Sequence, residues 1–402
     1  MKRIFTKITH KFNRSSKILT IIAFVLIGIV LLLSARAAVN TAFFEAENSN
    51  IIGSAQTVND SSASNQKAIK FGSGAVASPT CLDRTGTNVI KTTSANGFVN
   101  NPSWSQLYIY KNNNVPANTV FDAVNSSFNY GLINDTDTSQ LYSIALRGGQ
   151  NVCWTGGRVV GTVPDSSISE WELWHDLNGF RIGGMKNFTM ENLYIRNFGD
   201  LLNISDDDGL ISDGFTVKDS LLRHSHDDCI QNDKLAAGKI INSFFDGCYT
   251  GISARMSSSD ASAGIINGSS KLFEIENSLL WMEPMTAVYK GVSPGHGGFL
   301  KWENDYPARR IKLSLKNVTF MAKMDPADKI GNEAGSSLVT CQNVTIVWLG
   351  SGAYPGYDWP SGCVTVLTGT AGRNHWLQKV NEWYAAHPQF NDIKQPDNYY
   401  FQ

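Results

Sequence analysis

Charge is scarce in this sequence: Asp, Glu, Lys and Arg make up 17% of 402 residues, and the first 37 hold no acid at all. Those 37 residues carry seven basic ones, among them Lys2, Arg3, Lys7, Lys11, Arg14 and Lys17. The remainder then has 27 Lys and Arg against 35 Asp and Glu, a net charge of −8. A nucleic-acid partner is excluded on that balance, because such surfaces are basic. There is no CxxC pair with zinc spacing, and no GxSxG, HExxH or phosphate-binding loop. Six cysteines are too sparse for a disulfide scaffold, although an even number permits bridges in an exported chain. Cys341 and Cys363 are the first expected pair, while Cys229 and Cys248 read as buried packing or a second bridge.

What is abundant is Gly, with 35 copies, together with Asn, Ser and Thr. That mixture favours short strands and turns over long helices. The acid-free start continues into an apolar run, Ile18 to Leu33, and then Ala35-Arg36-Ala37, a cleavage-like signal. An export signal is the first reading; a retained membrane tether through residues 18–34 is the second. Both place the rest of the chain outside the cytoplasm, secreted or at the cell surface.

A repeat runs through the middle. VCWTGGRV (152–159), FTMENLYI (188–195), FTVKDSLL (215–222), GKIINSFF (238–245), FEIENSLL (273–280), LSLKNVTF (313–320) and VTCQNVTI (339–346) align. Most share apolar residues at positions one, three and eight. The fifth position holds Gly156, Asn192, Asp219, Asn242, Asn277, Asn317 and Asn343, spaced by 36, 27, 23, 35, 40 and 26 residues. A unit this short cannot bury its own apolar face, so copies must stack. Alternation marks a strand in each copy. Asn in a fixed slot suits a tight left-handed turn, and stacked Asn side chains can hydrogen-bond as a ladder.

Period, strand pattern and Asn slot together resemble the right-handed parallel β-helix of the pectin-lyase-like superfamily. The expected fold is therefore all-β, a solenoid with an N-terminal cap and a C-terminal capping helix. The divisions expected are 1–37 signal or anchor, 38–114 leader and N-terminal β cap, 115–366 β-helix, and 367–402 capping helix and tail. In the last division, Trp376, Val380, Trp383 and Tyr384 share one helical face over 374–390, with Asn374 as cap and Pro388 as stop. A monomer is expected.

Chemistry gathers in LLRHSHDDCIQND, residues 221–233. Asp206, Asp207 and Asp208 precede Asp227 and Asp228, and Asp206 to Asp228 is 22 residues, about one coil. Acids stacked on one face repel unless protons or a cation neutralise them, which is the condition acid–base chemistry exploits. His224 and His226 alternate on the same strand, and Trp171, Trp174 and His175 lie in an insertion that either stacks on sugars or covers the core.

Here the chain resembles polygalacturonases, β-helix glycoside hydrolases with an acid-Gly element, then D-D-C-I, G-H-G and R-I-K. The matching residues are Asp208-Gly209, Asp227-Asp228-Cys229-Ile230 and Arg310-Ile311-Lys312. The resemblance implies acid–base catalysis by Asp227, Asp228 and Asp208, with Arg310 and Lys312 on substrate. The family's His should fall in CYTGISAR (248–255), where Tyr249 and Thr250 stand; a G-H-G occurs only at Gly295-His296-Gly297. The loop VYKGVSPGHGGFLKWEND (288–305) also resembles G-H-G-G-F-x-K-W loops of bacterial β-helix proteins. It supplies Lys290, His296, Lys301 and Trp302.

The other chemistry common on this fold is lyase β-elimination, which takes a proton beside a uronate carboxylate. Arg255, Lys290 and His296 are candidate bases, Tyr249, Lys301 and Trp302 candidate substrate contacts, and Asp206, Asp207 and Asp208 candidate Ca²⁺ ligands. The functional expectation is an extracellular protein that cleaves an acidic polysaccharide by elimination or hydrolysis. A non-catalytic glycan-binding or adhesive surface protein is the alternative.

Overall fold

The computed structural model describes residues 56–59, 67–70, 81–83, 87–92, 107–108, 114–130, 141–164, 171–175, 177–207, 209–285, 287–288, 291, 297–323, 332–354 and 359–401. The export or tether segment 1–37 lies outside them. The chain divides into two units, 1–78 and 79–402. In the first, Gln56–Asn59 and Lys67–Lys70 form an antiparallel pair.

The second unit is a parallel β-helix. Nine parallel strands make one face: Asn88–Lys91, Thr119–Asp122, Cys153–Thr155, Lys186–Glu191, Asp213–Lys218, Gly238–Ile241, Leu272–Glu276, Lys312–Lys316 and Leu338–Gln342. The coils therefore begin before residue 115, since Asn88–Lys91 already pairs in parallel with Thr119–Asp122. A larger sheet wraps the other two faces. Two of its strands, Leu221–Gln231 and Phe244–Ala254, are long enough to run through both faces and bend between them.

Each coil turns at the slot identified by the repeat. Gly156, Asn192, Asp219, Asn242, Asn277, Asn317 and Asn343 all have left-handed φ, between 49° and 75°. Asn317 Nδ2 donates to Asn277 Oδ1 at 2.9 Å, and Asn343 Nδ2 to Asn317 Oδ1 at 3.0 Å. A serine ladder follows one residue later: the backbone N of Ser220 donates to Ser243 Oγ, and that of Ser243 to Ser278 Oγ. A second asparagine ladder, Asn118, Asn151 and Asn187, marks another corner. Inside, Phe273 meets Phe215, two coils before it, and Trp302 edge to face, with centroids 5.6 and 5.7 Å apart. Burying such side chains contributes about 1.5–3 kcal/mol each.

Two disulfides join neighbouring coils, Cys229–Cys248 and Cys341–Cys363, and a third ties Cys81, ahead of the first coil strand, to Cys153.

The C-terminal helix, Gly369–Ala386, buries Trp376, Val380, Trp383 and Tyr384 as its periodicity predicts. Its N-cap is Thr368, so Asn374 is internal. The helix does more than cover the last coil. It lies along the outside of one face, over Tyr194, Leu221, Phe244, Leu279, Trp281, Met321 and Val347. Those outward residues are apolar because the helix keeps them from water.

Candidate active site

The strand Leu221–Gln231 loses its regular register with Phe244–Ala254 between Ser225 and Asp228, where it bends from one face to the next. Bends of this kind re-aim side chains, and Asp227 and Asp228 sit on this one. The coil before contributes Asp200 at the same corner. Leu202 pairs with Ile230 and Asn203 with Gln231, so the offset here is 28 residues and Asp200 falls under Asp228. Asp200 Oδ1 accepts the Asp228 backbone N–H at 3.1 Å. One oxygen from each of Asp200, Asp227 and Asp228 lies within 4.8 Å of the others, and all three residues are buried.

The stack on Asp227 and Asp228 expected from a 22-residue coil does not form at Asp206. Asp206 lies six residues beyond Asp200, hairpins onto Ile211, and ion-pairs with Lys234 at 3.4 Å. Asp207 pairs with Leu210 in the same hairpin; its side chain, and Asp208 entirely, lie outside the described residues. Lys290 and His296 lie outside them too.

Two cations approach the buried carboxylates. Lys301 arrives two coils further on, its ammonium 4.0 Å from Asp228 Oδ2. His175 comes from the insertion. Its short helix, Trp171–His175, settles on Gly199, where an added Cβ would stand 1.8 Å from the carbonyl oxygen of Trp174. The helix is pinned by Trp174, which stacks on His226 at 3.6 Å. His175 Nδ1 hydrogen-bonds Asp227 Oδ2. That bond raises the imidazole pKa to about 9, against a smaller opposing effect of burial. Asp228 beside Lys301 lifts the ammonium above the ordinary lysine value.

Burial raises the Asp228 carboxyl to about 7, although Lys301 and the Thr250 hydroxyl pull it the other way. Neither of its oxygens has a donor in good hydrogen-bond geometry. Asp200 is pushed well above the usual carboxylate range, first by burial and then by Asp227 and Asp228. Among the described residues, three carboxyls face two cations, so one proton held by the cluster brings this set to neutrality.

His175 and Lys301 also line a cleft of about 510 Å³, with Gln231, Asp233, Ser253 and Arg255. The carboxyl cluster thus lies one side chain below the cleft surface. Arg255 is half-exposed there and pairs with Asp305 at 3.3 Å. Tyr249 packs its half-buried ring beside the insertion helix and against Gly297.

The remaining candidates lie elsewhere. The Trp302 indole is buried in the core, donating to the Ile311 carbonyl at 2.9 Å, so it offers no face to a sugar. Arg310 is spent on the Glu303 carbonyl and on Ser336. Lys312 is exposed on the nine-stranded face, in the other sheet. His224 bonds Glu283 at 2.6 Å and Tyr399 at 3.0 Å beneath the C-terminal tail. Burial lowers His226 to about 3, so it stays neutral, its Nε2–H donating to Asn197 Oδ1 at 2.8 Å.

Asp200, His175 and Asp233 escaped the reading of the sequence. A signal for Asp200 existed: the turn slots Asn192 and Asp219 are 27 residues apart, which leads from Asp227 back to Asp200. None existed for His175, because insertions have no period.

Searches of protein-family models and of curated proteins found no match. Among solved structures, the chain is similar to pectate lyase Pel9A at 12% identity, over 71% of this chain and 68% of that one, with a TM-score of 0.37. It is also similar to an alginate lyase from Paenibacillus sp. str. FPU-7 at 12% identity, over 64% of this chain and 86% of that one, with a TM-score of 0.29.

Proposed function

We propose that this is an extracellular polysaccharide-cleaving protein that works by hydrolysis, with the Asp200–Asp227–Asp228 cluster supplying the acid. The observation that carries the reading is the proton balance: three buried carboxyls, two fixed cations, and a carboxyl raised to about 7 at Asp228. A carboxylic acid that keeps its proton near neutrality can protonate a leaving glycosidic oxygen. The Asp228 oxygens have no well-formed hydrogen bond, and His175, bonded to Asp227, links the buried cluster to the cleft.

β-Elimination fits less well. It needs a base of low pKa, yet among the described residues Lys301 is raised and Arg255 is a guanidinium paired with Asp305. The described carboxylates also have countercharge without a resident Ca²⁺. Asp206 is neutralised by Lys234, and the buried cluster already has Lys301 and His175 for countercharge. Arg255, half-exposed on the cleft and held only by a surface ion pair to Asp305, can turn to an anionic chain, a uronate-containing polysaccharide.

The test is product analysis on a panel of acidic polysaccharides. Hydrolysis yields new reducing ends without ultraviolet absorbance, is unaffected by a chelator, and falls about 100-fold or more in Asp228→Asn. Unsaturated, absorbing ends blocked by the chelator would establish elimination instead. Binding with neither product would establish a glycan-binding protein.

A further inference from the structure

We propose that Asp233 is the general base of this hydrolysis, activating water in the cleft; the inference rests on the hydrolytic reading and completes it. The carboxyl cluster cannot supply both partners of an inverting reaction. Its oxygens approach within 4.8 Å, whereas a pair that holds water and sugar between them stands about 6.5–9.5 Å apart. A second carboxyl must come from outside the cluster and must face the cleft. Asp233 does both.

Asp200, Asp227 and Asp228 lie below the cleft, while Asp233 lines it. Its position is fixed from both sides. The buried Asn232 donates from Nδ2 to the Ala236 carbonyl and accepts the Ala236 N–H at Oδ1, both at 2.9 Å. Lys234 is clamped by both Asp260 oxygens at 2.7 Å. Between these two anchored residues, Asp233 has no hydrogen-bond or ion-pair partner among the described residues. A rigid turn that presents one unpartnered carboxyl to a cleft is a preorganised arrangement.

The charged groups facing Asp233 are Lys301, Lys234, Asp227 and Asp260, with Arg255, His175, Glu303 and Asp305 on the same cleft. Burial raises its carboxyl to about 6, below Asp228 at about 7. Burial thus raises both carboxyls toward neutrality, where a base at Asp233 and a proton in the cluster can coexist.

The step balances as follows. The Asp233 carboxylate takes a proton from water as the water oxygen attacks the anomeric carbon. The bond from that carbon to the glycosidic oxygen breaks, its electron pair staying on the oxygen. That oxygen takes the proton held by the carboxyl cluster, passed to the cleft through His175, which is bonded to Asp227 and lines the cleft. The products are a hemiacetal of inverted configuration and a free hydroxyl, and a proton passes back from Asp233 to the cluster through solvent.

The test uses the full chain on whichever acidic polysaccharide the parent hydrolyses. Asp233→Asn is expected to lower kcat about 100-fold or more with little change in KM, and to abolish the acidic limb of the pH profile near 6. Sodium azide should restore turnover in Asp233→Asn and in Asp233→Ser, giving a glycosyl azide of inverted configuration. A purely structural residue would not show that rescue. Parental kcat and pH profile in Asp233→Asn, with Asp228→Asn inactive, would overturn the role of Asp233 and leave the hydrolytic reading standing. A product of retained configuration would do the same. A parent that releases no reducing ends overturns both.

Discussion

Asp200 lies beneath Asp228 in the coil stack, its carboxylate accepting the Asp228 backbone N–H at 3.1 Å. Residues 28 apart in sequence thereby share one buried site, and the energetic cost of that sharing is measurable.

For a carboxyl whose folded pKa lies above its ordinary value, the fold binds the proton more tightly than the unfolded chain does. The penalty is absent below the unfolded pKa, near 3.8, and complete above the folded pKa, about 7 for Asp228. Stability should fall as pH rises from 4 to 7. Asp228→Asn should therefore match the parent in Tm at about pH 3 and exceed it at about pH 8. Thermal scans across that range check the sign.

His175 titrates in the opposite sense. Its folded pKa, about 9, exceeds the ordinary 6.5, so its pairing with Asp227 contributes fully below 6.5 and is lost as pH rises through 9. In the parent, where activity already falls above about pH 7 as the cluster gives up its proton, a second decline should follow near pH 9. His175→Gln should lose that limb while lowering activity at pH 7 by about 10-fold or more, as expected for loss of a charge partner. Because the imidazole is 39% exposed, salt should weaken the effect.

The turn ladder predicts a residue-specific stability series. Asn317 has φ of 53° and bonds both Asn277 and Asn343. Asn317→Ala should cost about 2–3 kcal/mol, combining left-handed strain with lost hydrogen bonds. Asn317→Gly, free of that strain, should cost about 1 kcal/mol. Urea unfolding midpoints of the two variants decide the order.

Beneath the C-terminal helix, Arg223 Nε donates to Asp246 at 2.7 Å and Nη2 to the Tyr384 hydroxyl at 2.8 Å. Arg223→Ala would strand a fully buried Asp246 and should cost about 3–5 kcal/mol. Accelerated proteolysis of the C-terminal segment should accompany it.

The fold was legible because its rules are local. A positive-φ slot selects Asn or Gly, and all seven slots read from the repeat carry that backbone. The helix face Trp376, Val380, Trp383 and Tyr384 followed from period alone, whereas its course along the coils depended on outward apolar residues spread over the whole repeat. The site was half legible. Asp227 and Asp228 stood out as adjacent acids, but Asp206–Asp208 drew attention from Asp200 because three acids in a row look more chemical than one. The structure ties Asp206 to a hairpin and a lysine, at the far end of the strand. Likewise Trp302 resembled a sugar platform only until its alternation placed it inward. His175 depended on Gly199 leaving room for a helix, a contact between segments that no sequence pattern encodes.

The most direct measurement is a ¹³C NMR titration of the carboxyl carbons in Asp-labelled protein. A carboxyl titrating near pH 7, assigned by its loss in Asp228→Asn and displaced in Asp200→Asn, is the predicted result. Complete ionisation of every aspartate below about pH 5, the range of unperturbed carboxylates, would contradict a shared proton and remove the acid on which the proposed hydrolysis depends.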